Sequence, residues 1–180
     1  MPGVCYKVLG GKVGTGMVNN NYAYNIEIFK YLTLEERKKV LAGCTAKKFA
    51  AGEVIFEADT IGTEMYIIES GGVKIFKIFE GVELTFAELG EGEAFGEMSL
   101  IDEYPRSAAA KALRPTTLLA FSRQALDVTV EQDPSLGVRL FRAFSEVFSK
   151  RMRKTDKLLE TYYLVNKALI SNDEFRQLYK

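Results

Sequence analysis

Apolar residues recur with different periods along the chain, and each change of period predicts a change of secondary structure. Leu34 and Leu41 fall on one face of a segment whose other positions are largely charged, which is typical of an amphipathic helix. Thr33 and Glu36 have the spacing of a capping box, which marks the start of such a helix. We predict helical structure at residues 26–31 and 34–42.

Short strands separated by glycine turns are predicted between residues 45 and 122. The predicted strands are residues 45–49, 54–56, 64–70, 73–79, 83–89, 107–112 and 116–122. Leu84 and Phe86 share one face of their strand. Residues 73–79 alternate poorly, which indicates a β-bulge or burial on both faces. Many short, evenly spaced strands favour a small barrel or a jelly roll.

Two helices are predicted after the strands. The first covers residues 123–132 and ends at Asp133-Pro134, because the residue before a proline is disfavoured in a helix. The second covers residues 135–169, and an apolar stripe runs along one face of this helix. The stripe contains Leu136, Leu140, Phe144 and Val147, and then Leu158, Tyr162, Val165 and Leu169.

Arg151 and Lys154 interrupt this stripe, but its angular position is the same on both sides, which favours one long helix over two. A kink within residues 150–157 is the alternative. The stripe itself has two interpretations: it packs against the chain's own strands, or its outer part pairs with a second copy to form a homodimer. A sustained coiled coil is not predicted, because the interrupted stripe is too short.

The chain therefore divides into a domain at residues 23–170 and two tails. Residues 1–22 are rich in glycine and show no periodicity, so we predict a mobile N-terminal tail. The GGKVGTG segment at residues 10–16 lacks the spacing and the flanking elements of a P-loop. Residues 171–180 are predicted to be a C-terminal tail.

The composition narrows the classes of function. The 180 residues include 24 acidic and 24 basic ones, and this balance argues against nucleic acid or an anionic membrane as the main partner. No stretch is apolar enough to span a bilayer or resembles a signal peptide, so no membrane partner is predicted. The two cysteines, Cys5 and Cys44, form no disulfide framework, which favours a reducing cytoplasm.

The absence of histidine further limits the chemistry. It removes Ser-His and Cys-His catalysis and the commonest metal ligand. An enzyme is therefore disfavoured, and we predict no catalytic residue, no metal site and no cofactor.

The clearest candidate for a ligand-binding site is residues 92–112, with the sequence GEAFGEMSLIDEYPRSAAAKA. Gly96 lacks a Cβ atom, so a ligand can approach its backbone closely. If a short helix begins near Glu97, its free N–H groups favour a bound anion. The Glu97 carboxylate accepts hydrogen bonds from sugar hydroxyls, the Arg106 guanidinium matches phosphate oxygens, and Ser107 adds a donor. The pattern predicts a ligand with sugar hydroxyls and one phosphate.

This stretch resembles the phosphate-binding cassette of cyclic nucleotide-binding domains. The family pattern is F-G-E-[LMI]-[AS]-L, a short spacer and then P-R-[AST]-A, and its ligand-contacting positions are matched in full. The matching residues are Phe95, Gly96, Glu97, Met98, Ser99, Leu100, Pro105, Arg106, Ser107 and Ala108. Residues 59–72 also fit the family's third-strand pattern, and the resemblance covers residues 26–147.

The resemblance implies a mainly β fold with flanking helices. Its centre is an eight-stranded, jelly-roll-like β-roll, a double-stranded β-helix, at residues 45–122. An N-terminal helical segment at residues 26–42 and a long C-terminal helix accompany it. The resemblance further implies that Glu97 binds the ribose 2′-OH and that Arg106 binds the cyclic phosphate. Ser107 and the backbone N–H groups near Gly96 and Ala108 complete the site.

Members of the family often cap the base with a residue on or after the long helix. Tyr162 and Tyr163 are aromatic candidates for stacking on a purine, and Leu158 and Leu159 are aliphatic ones. A tyrosine that packs in the core is the alternative interpretation.

We therefore predict a non-enzymatic cyclic nucleotide receptor whose C-terminal helices move on binding. We favour cAMP as the ligand, and cGMP is the alternative, because a hydroxyl at Ser107 can favour guanine. Few residues follow the long helix, so we expect an effector protein of unknown identity or a larger parent chain. The rival hypothesis is an interaction module that keeps the fold without binding nucleotide, with Glu97 and Arg106 as a surface ion pair.

Overall fold

The computed structural model of the protein describes residues 6–8, 13–14 and 26–171. Its strands are β1 (Tyr6–Val8), β2 (Val13–Gly14), β3 (Thr45–Phe49), β4 (Val54–Phe56), β5 (Glu64–Ser70), β6 (Val73–Phe79), β7 (Val82–Leu89), β8 (Ala94–Phe95), β9 (Ala109–Ala112) and β10 (Thr116–Ser122). Its helices are a 3-10 helix (Glu27–Phe29), α1 (Leu34–Ala42), α2 (Met98–Ile101), α3 (Arg123–Gln132) and α4 (Pro134–Ser171). The chain divides into two compact units between Phe144 and Ser145.

Two β-sheets build the first unit. Within the described residues, the strand order is β2-β1-β3-β10-β5-β8 in one sheet and β4-β9-β6-β7 in the other. Strand β10 is the last strand in the sequence, yet it lies between β3 and β5 and is antiparallel to both. The sheets, the flanking helices and the long C-terminal helix confirm the predicted fold class.

Most of the predicted strands are confirmed, and the differences are small. Strand β7 begins at Val82, one residue early, and β9 begins at Ala109. The predicted bulge is present as a register shift between Ile75 and Phe76. Strand β8 was not predicted, because two residues among glycines carry no periodicity. Strands β1 and β2 lie in the segment for which we predict a tail, and β1 pairs in parallel with β3.

The core lies between the two sheets and is formed by apolar side chains from both. The six-stranded sheet contributes Tyr66, Ile68, Phe95, Leu118 and Ala120, and the four-stranded sheet contributes Val73 and Ala110. Half-buried apolar residues pack around this cluster, namely Phe49, Ile55, Phe56, Ile75 and Leu89. Burial of these side chains supplies the main driving force for closing the two sheets on each other.

The N-terminal helical segment contacts the start of helix α4. The predicted capping box is confirmed, since the Thr33 N–H donates to Glu36 Oε2 at 2.8 Å and the Glu36 N–H donates to Thr33 Oγ1 at 3.3 Å. The other Glu36 carboxylate oxygen accepts a hydrogen bond from the Arg139 guanidinium of α4. The Arg142 guanidinium lies 4.2 Å from the centre of the Tyr31 ring. The segment is therefore fixed to the first turns of α4.

Helix α4 is continuous from Pro134 to Ser171, which confirms one long helix without a break. Proline suits the first turn of a helix, where its missing N–H has no partner to lose. Asp133 caps the helix, because its Oδ1 accepts from the Leu136 N–H at 3.0 Å. No helix in the described part of the chain is both long and apolar enough to cross a membrane.

The two halves of the predicted stripe differ in exposure. In the first unit, Leu136, Leu140 and Phe144 are buried. In the second unit, the stripe residues of the outer half are exposed, namely Leu158, Tyr162, Val165 and Leu169. The inner half therefore packs within the chain, as one of the two interpretations expects.

Candidate functional site

The residues of the predicted cassette follow β7 in the sequence. They form β8, α2 and β9 in one continuous stretch. Phe95 pairs with Tyr66 of β5, which fixes the start of the cassette on the six-stranded sheet. The next residue, Gly96, has a φ of 75°, a left-handed conformation that favours glycine. A Cβ atom built there would lie 2.7 Å from Arg106 Nη1. Gly96 is therefore required both by its backbone conformation and by the arginine beside it.

Arg106 is buried at the centre of the cassette, and its side chain is held by protein acceptors. Its Nη1 donates to the Gly96 carbonyl oxygen at 2.6 Å and to Ser99 Oγ at 2.8 Å. Its Nη2 donates to the Glu64 carbonyl oxygen at 2.6 Å. A guanidinium has five N–H groups, and three of them donate in these hydrogen bonds. The arrangement therefore fixes the orientation of the Arg106 guanidinium within the cassette.

The loop after β4 lies directly against Arg106. The Arg106 N–H donates to the Thr60 carbonyl oxygen, and the Asp59 N–H donates to the Arg106 carbonyl oxygen, both at 2.8 Å. A Cβ atom built at Gly62 would overlap the Arg106 guanidinium. This close approach leaves no space for a side chain at residue 62, so the loop backbone forms a wall of the arginine site.

Aromatic rings lie on another side of the guanidinium. Arg106 Cζ is 4.2 Å from the centre of the Phe56 ring and 5.9 Å from that of the Tyr66 ring. The Phe56, Tyr66 and Phe95 rings contact one another with centroid distances between 5.4 and 5.9 Å. The negative faces of such rings attract a cation. The arginine is therefore placed between hydrogen-bond acceptors and an aromatic cluster.

The charges around the site favour a cationic arginine. Burial lowers the pKa of the Arg106 guanidinium, while Tyr66, Glu64 and Glu97 act in the opposite direction. Glu64 Oε2 accepts hydrogen bonds from Lys47 Nζ at 2.5 Å and from the Tyr66 hydroxyl at 2.9 Å. Burial raises the pKa of Tyr66, and the Glu64 carboxylate raises it further. Tyr66 therefore stays neutral and acts as a donor.

Glu97 and Ser99 are buried beside Arg106, at the start of helix α2. The negative charge of Glu97 favours the protonated state of the arginine. Ser99 Oγ accepts from Arg106, and the Ser99 carbonyl oxygen accepts from Arg123 Nη2 at 2.5 Å. A carboxylate, a guanidinium and backbone groups thus lie close together at the start of α2.

Arg123 connects the cassette to helix α3 and was not predicted as a site residue. It is the first residue of α3, and its N–H donates to the Thr63 carbonyl oxygen at 2.9 Å. Its guanidinium also pairs with Glu103. Ser99 accepts a hydrogen bond from Arg106, and Thr63 is the neighbour of Glu64, which accepts another. The two arginines therefore bind to the same two segments of the chain.

Known proteins resemble this chain in sequence and in fold. The family model described as the cyclic nucleotide-binding domain matches residues 46–133, which include the whole cassette. The chain belongs to the cyclic nucleotide-binding domain family. Within this family, the cyclic AMP receptor protein of Thermus thermophilus is 34% identical over 134 residues, which are 74% of this chain and 60% of that protein.

Two further similarities support the family membership. The cAMP-dependent protein kinase regulatory subunit of Debaryomyces hansenii is 28% identical over 128 residues, or 66% of this chain and 27% of that protein. A cyclic nucleotide-binding domain from Methylobacillus flagellatus has a TM-score of 0.72 at 25% identity, covering 79% of this chain and 85% of that one. The match spans less than two thirds of the two full-length relatives.

The remaining predicted residues of the cyclic nucleotide-binding domain line the outside of the cassette or lie apart from it. Met98, Pro105 and Ser107 are exposed, whereas Ala108 is buried. The Ser107 hydroxyl lies 3.9 Å from the Met98 sulfur, a long and weak contact that leaves the hydroxyl accessible. Their individual roles toward a ligand stay predictions.

The candidate base caps Leu158, Tyr162 and Tyr163 belong to the second unit, where all three side chains are exposed. Leu159, the other aliphatic candidate, is exposed as well. The assignment of a cap to any of them therefore stays a prediction.

Proposed function

We propose that the chain is a non-enzymatic receptor for a cyclic nucleotide, with cAMP as the preferred ligand. The observation that carries the proposal is the buried Arg106, which is oriented by Gly96, Ser99 and Glu64. We propose that its other two N–H groups bind the phosphate. Charge-assisted hydrogen bonds to phosphate oxygens are among the stronger polar contacts in proteins. Glu97 lies beside the arginine and would accept from a ribose hydroxyl.

The choice of cAMP is supported by the relatives. Two of them carry cAMP in their names, the receptor protein of Thermus thermophilus and the kinase regulatory subunit of Debaryomyces hansenii. The Ser107 hydroxyl is exposed beside Arg106 and would also suit cGMP. cGMP is therefore the alternative ligand, and a direct comparison of the two nucleotides decides between them.

We further propose that binding changes the position of the C-terminal helices. Ser99 accepts one hydrogen bond from Arg106 and one from Arg123, so a ligand that pulls on Arg106 acts on the first residue of α3. A ligand shifts such an equilibrium only through its different affinity for the two positions. A complete shift from 1:99 to 99:1 requires an affinity ratio of about 10,000.

Calorimetric titration of the purified protein with cAMP and cGMP tests this function. Arg106→Lys keeps the charge but loses the planar fork, and Glu97→Gln keeps the shape but loses the charge. We expect each variant to weaken binding by about tenfold or more. Arg114→Lys is the matched control, because Arg114 also donates to a backbone oxygen, that of Gly71, outside the cassette. Wild-type affinity in both site variants would overturn the assignment.

Amide hydrogen exchange of the same samples tests the movement of the helices. Saturating nucleotide is expected to change the protection of residues 123–132 in the wild-type protein. Arg123→Ala is expected to bind nucleotide and to lose most of that change. Equal changes in the two proteins would exclude a connection through Arg123.

A second candidate function is association through the outer part of α4. Large apolar side chains are exposed there, and Leu158, Tyr162 and Val165 are exposed by 70%, 65% and 52%. Contiguous exposed apolar surface is typical of an interaction site. We propose a homodimer or an effector protein as the occupant. Light scattering of the wild-type protein and of Leu158→Glu distinguishes the two, since only a homodimer dissociates without a second protein.

A further inference from the structure

We propose that Phe56 is a positioning residue that holds the plane of the Arg106 guanidinium before any ligand arrives. Phe56 ends strand β4 and pairs with Ala110 of β9. Its ring centre lies 4.2 Å from Arg106 Cζ, which is within the distance of a cation–π contact. Phe56 lies outside the cassette, and no motif points to it.

The contacts of Arg106 act in different directions. Gly96, Ser99 and Glu64 accept hydrogen bonds from the edge of the guanidinium and fix its position within the plane. Hydrogen bonds at the edge restrain a tilt of the plane less well than a flat group against its face. Arg106 Cζ lies over the Phe56 ring, so we infer that the ring limits such a tilt, and Gly62 lies close to the same atoms.

The charge of Arg106 gives the ring a second role. The arginine is 5% exposed, and burial lowers its pKa because the charged form loses water. The face of an aromatic ring attracts a cation most strongly where water is excluded. Phe56 therefore offsets part of the cost of keeping a guanidinium buried, which an aliphatic side chain of similar size would not do.

The consequence for binding is that the arginine is already ordered when the ligand enters. Ordering a long side chain on binding reduces affinity, and a preformed site avoids this loss. The effect on affinity rests on the proposed function, whereas the ordering of Arg106 in the free protein does not. The two are therefore measured separately.

The binding measurement compares Phe56→Leu with Phe49→Leu. Phe49 packs half-buried against the same core cluster as Phe56, while the cation–π contacts recorded for Arg106 are with Phe56 and Tyr66. We expect Phe56→Leu to weaken cAMP binding by about fivefold to tenfold and Phe49→Leu to leave it within about twofold. Phe56→Tyr keeps the ring and is expected to restore the affinity. Thermal unfolding of all three variants confirms that the samples compared are folded.

The ordering measurement uses nuclear magnetic resonance of the arginine side chains without ligand. In the wild-type protein and in Phe49→Leu, we expect separate signals for the two Nη groups of Arg106, since rotation about the Nε–Cζ bond is hindered. In Phe56→Leu we expect them to average into one signal, and in Phe56→Tyr to separate again. A purely structural role for Phe56 would lower stability without producing this difference.

The outcomes separate the two hypotheses. Separate Nη signals in Phe56→Leu, or the same affinity as Phe49→Leu, would overturn the positioning role. If the wild-type protein binds neither cAMP nor cGMP, the proposed function fails, and the spectra of the free protein still decide whether Phe56 orders Arg106.

Discussion

The cassette and the outer part of helix α4 depart from the usual distribution of side chains in opposite directions. In the cassette, Arg106, Glu97 and Ser99 are polar and buried. In the second unit, Leu158 and Tyr162 are large and exposed. Burying a charge costs free energy because the charge loses its water, and clustered apolar side chains at the surface are unfavourable in an isolated protein. The stability of the chain does not account for the side chains found in either region. The binding of a second molecule, which we propose for both, accounts for them better.

The inner part of α4 shows what the same helix does where only stability matters. Leu140 and Phe144 are buried and follow the stripe that continues to the exposed residues farther along. The apolar side chains of one periodic pattern are thus buried in the first unit and exposed in the second. The pattern alone does not separate the two uses.

The largest expected effect comes from Leu140→Ala, with Leu158→Ala as the matched change on the same helix. Leu140 is fully buried, so its truncation is expected to cost about 2–5 kcal/mol of the free energy of unfolding. Leu158 is 70% exposed, and its truncation is expected to change that free energy by less than about 0.5 kcal/mol. Urea unfolding at low protein concentration measures both. Equal losses would show that the outer residues are buried in solution.

The next effect tests the close contact between Gly96 and Arg106. Gly96→Ala and Gly52→Ala both place a side chain at a positive φ, 75° and 80°, at an expected cost of about 1–2 kcal/mol each. The new Cβ atom at Gly52 meets nothing within 4 Å, whereas that at Gly96 lies 2.7 Å from Arg106 Nη1.

Gly96→Ala alone is therefore expected to weaken cyclic nucleotide binding, by about tenfold or more. Calorimetry on both variants gives the comparison. Equal affinities would indicate that Arg106 moves aside without consequence, and would weaken the case for a rigid cassette.

The smallest expected effect concerns Glu36, a buried carboxylate that lies outside the cassette and that we expect to contribute to stability only. Burial favours the neutral form of Glu36, but hydrogen bonds from Thr33 and Arg139 outweigh it and lower the pKa of its carboxyl group. A lowered pKa in the folded state stabilises the protein above the ordinary carboxyl value, and the contribution is lost as the pH falls through the lowered value.

Glu36→Gln is therefore expected to cost about 1 kcal/mol at neutral pH and to flatten the fall of stability below about pH 5. Glu35→Gln is the control, since Glu35 forms an exposed pair with Lys38 that contributes little. Urea unfolding across the pH range reads out both variants, and nucleotide affinity is expected to stay unchanged. A loss of affinity in Glu36→Gln would show that the helical segment takes part in binding.

The part of the site that is local in sequence was predictable, and the part that is brought together by folding was not. Gly96, Glu97 and Arg106 lie in one short stretch with an unusual combination of residue types. The acceptor on Glu64 is a backbone oxygen, which every residue has, so no side chain marks it. Phe56 is brought near Arg106 by the pairing of β4 with β9.

The same distinction applies to the fold. Most strands with apolar side chains between turns were predicted to within two residues, because their period is visible over a few residues. The pairing of β10 with β3 and β5, and the pair of Glu36 with Arg139, join distant parts of the chain. Charged and apolar residues are too common for sequence alone to select these partners.

The central place of β10 has a consequence for how the protein is made. Strands β3 and β5 have no common neighbour until residues 116–122 have left the ribosome, so the six-stranded sheet cannot close before that point. Contacts between such distant residues also slow folding. Since Arg106 draws an acceptor from β5, the ability to bind a ligand is expected to arise late and abruptly. A ligand bound at Arg106 is then expected to stabilise only those chains in which β10 is already in place.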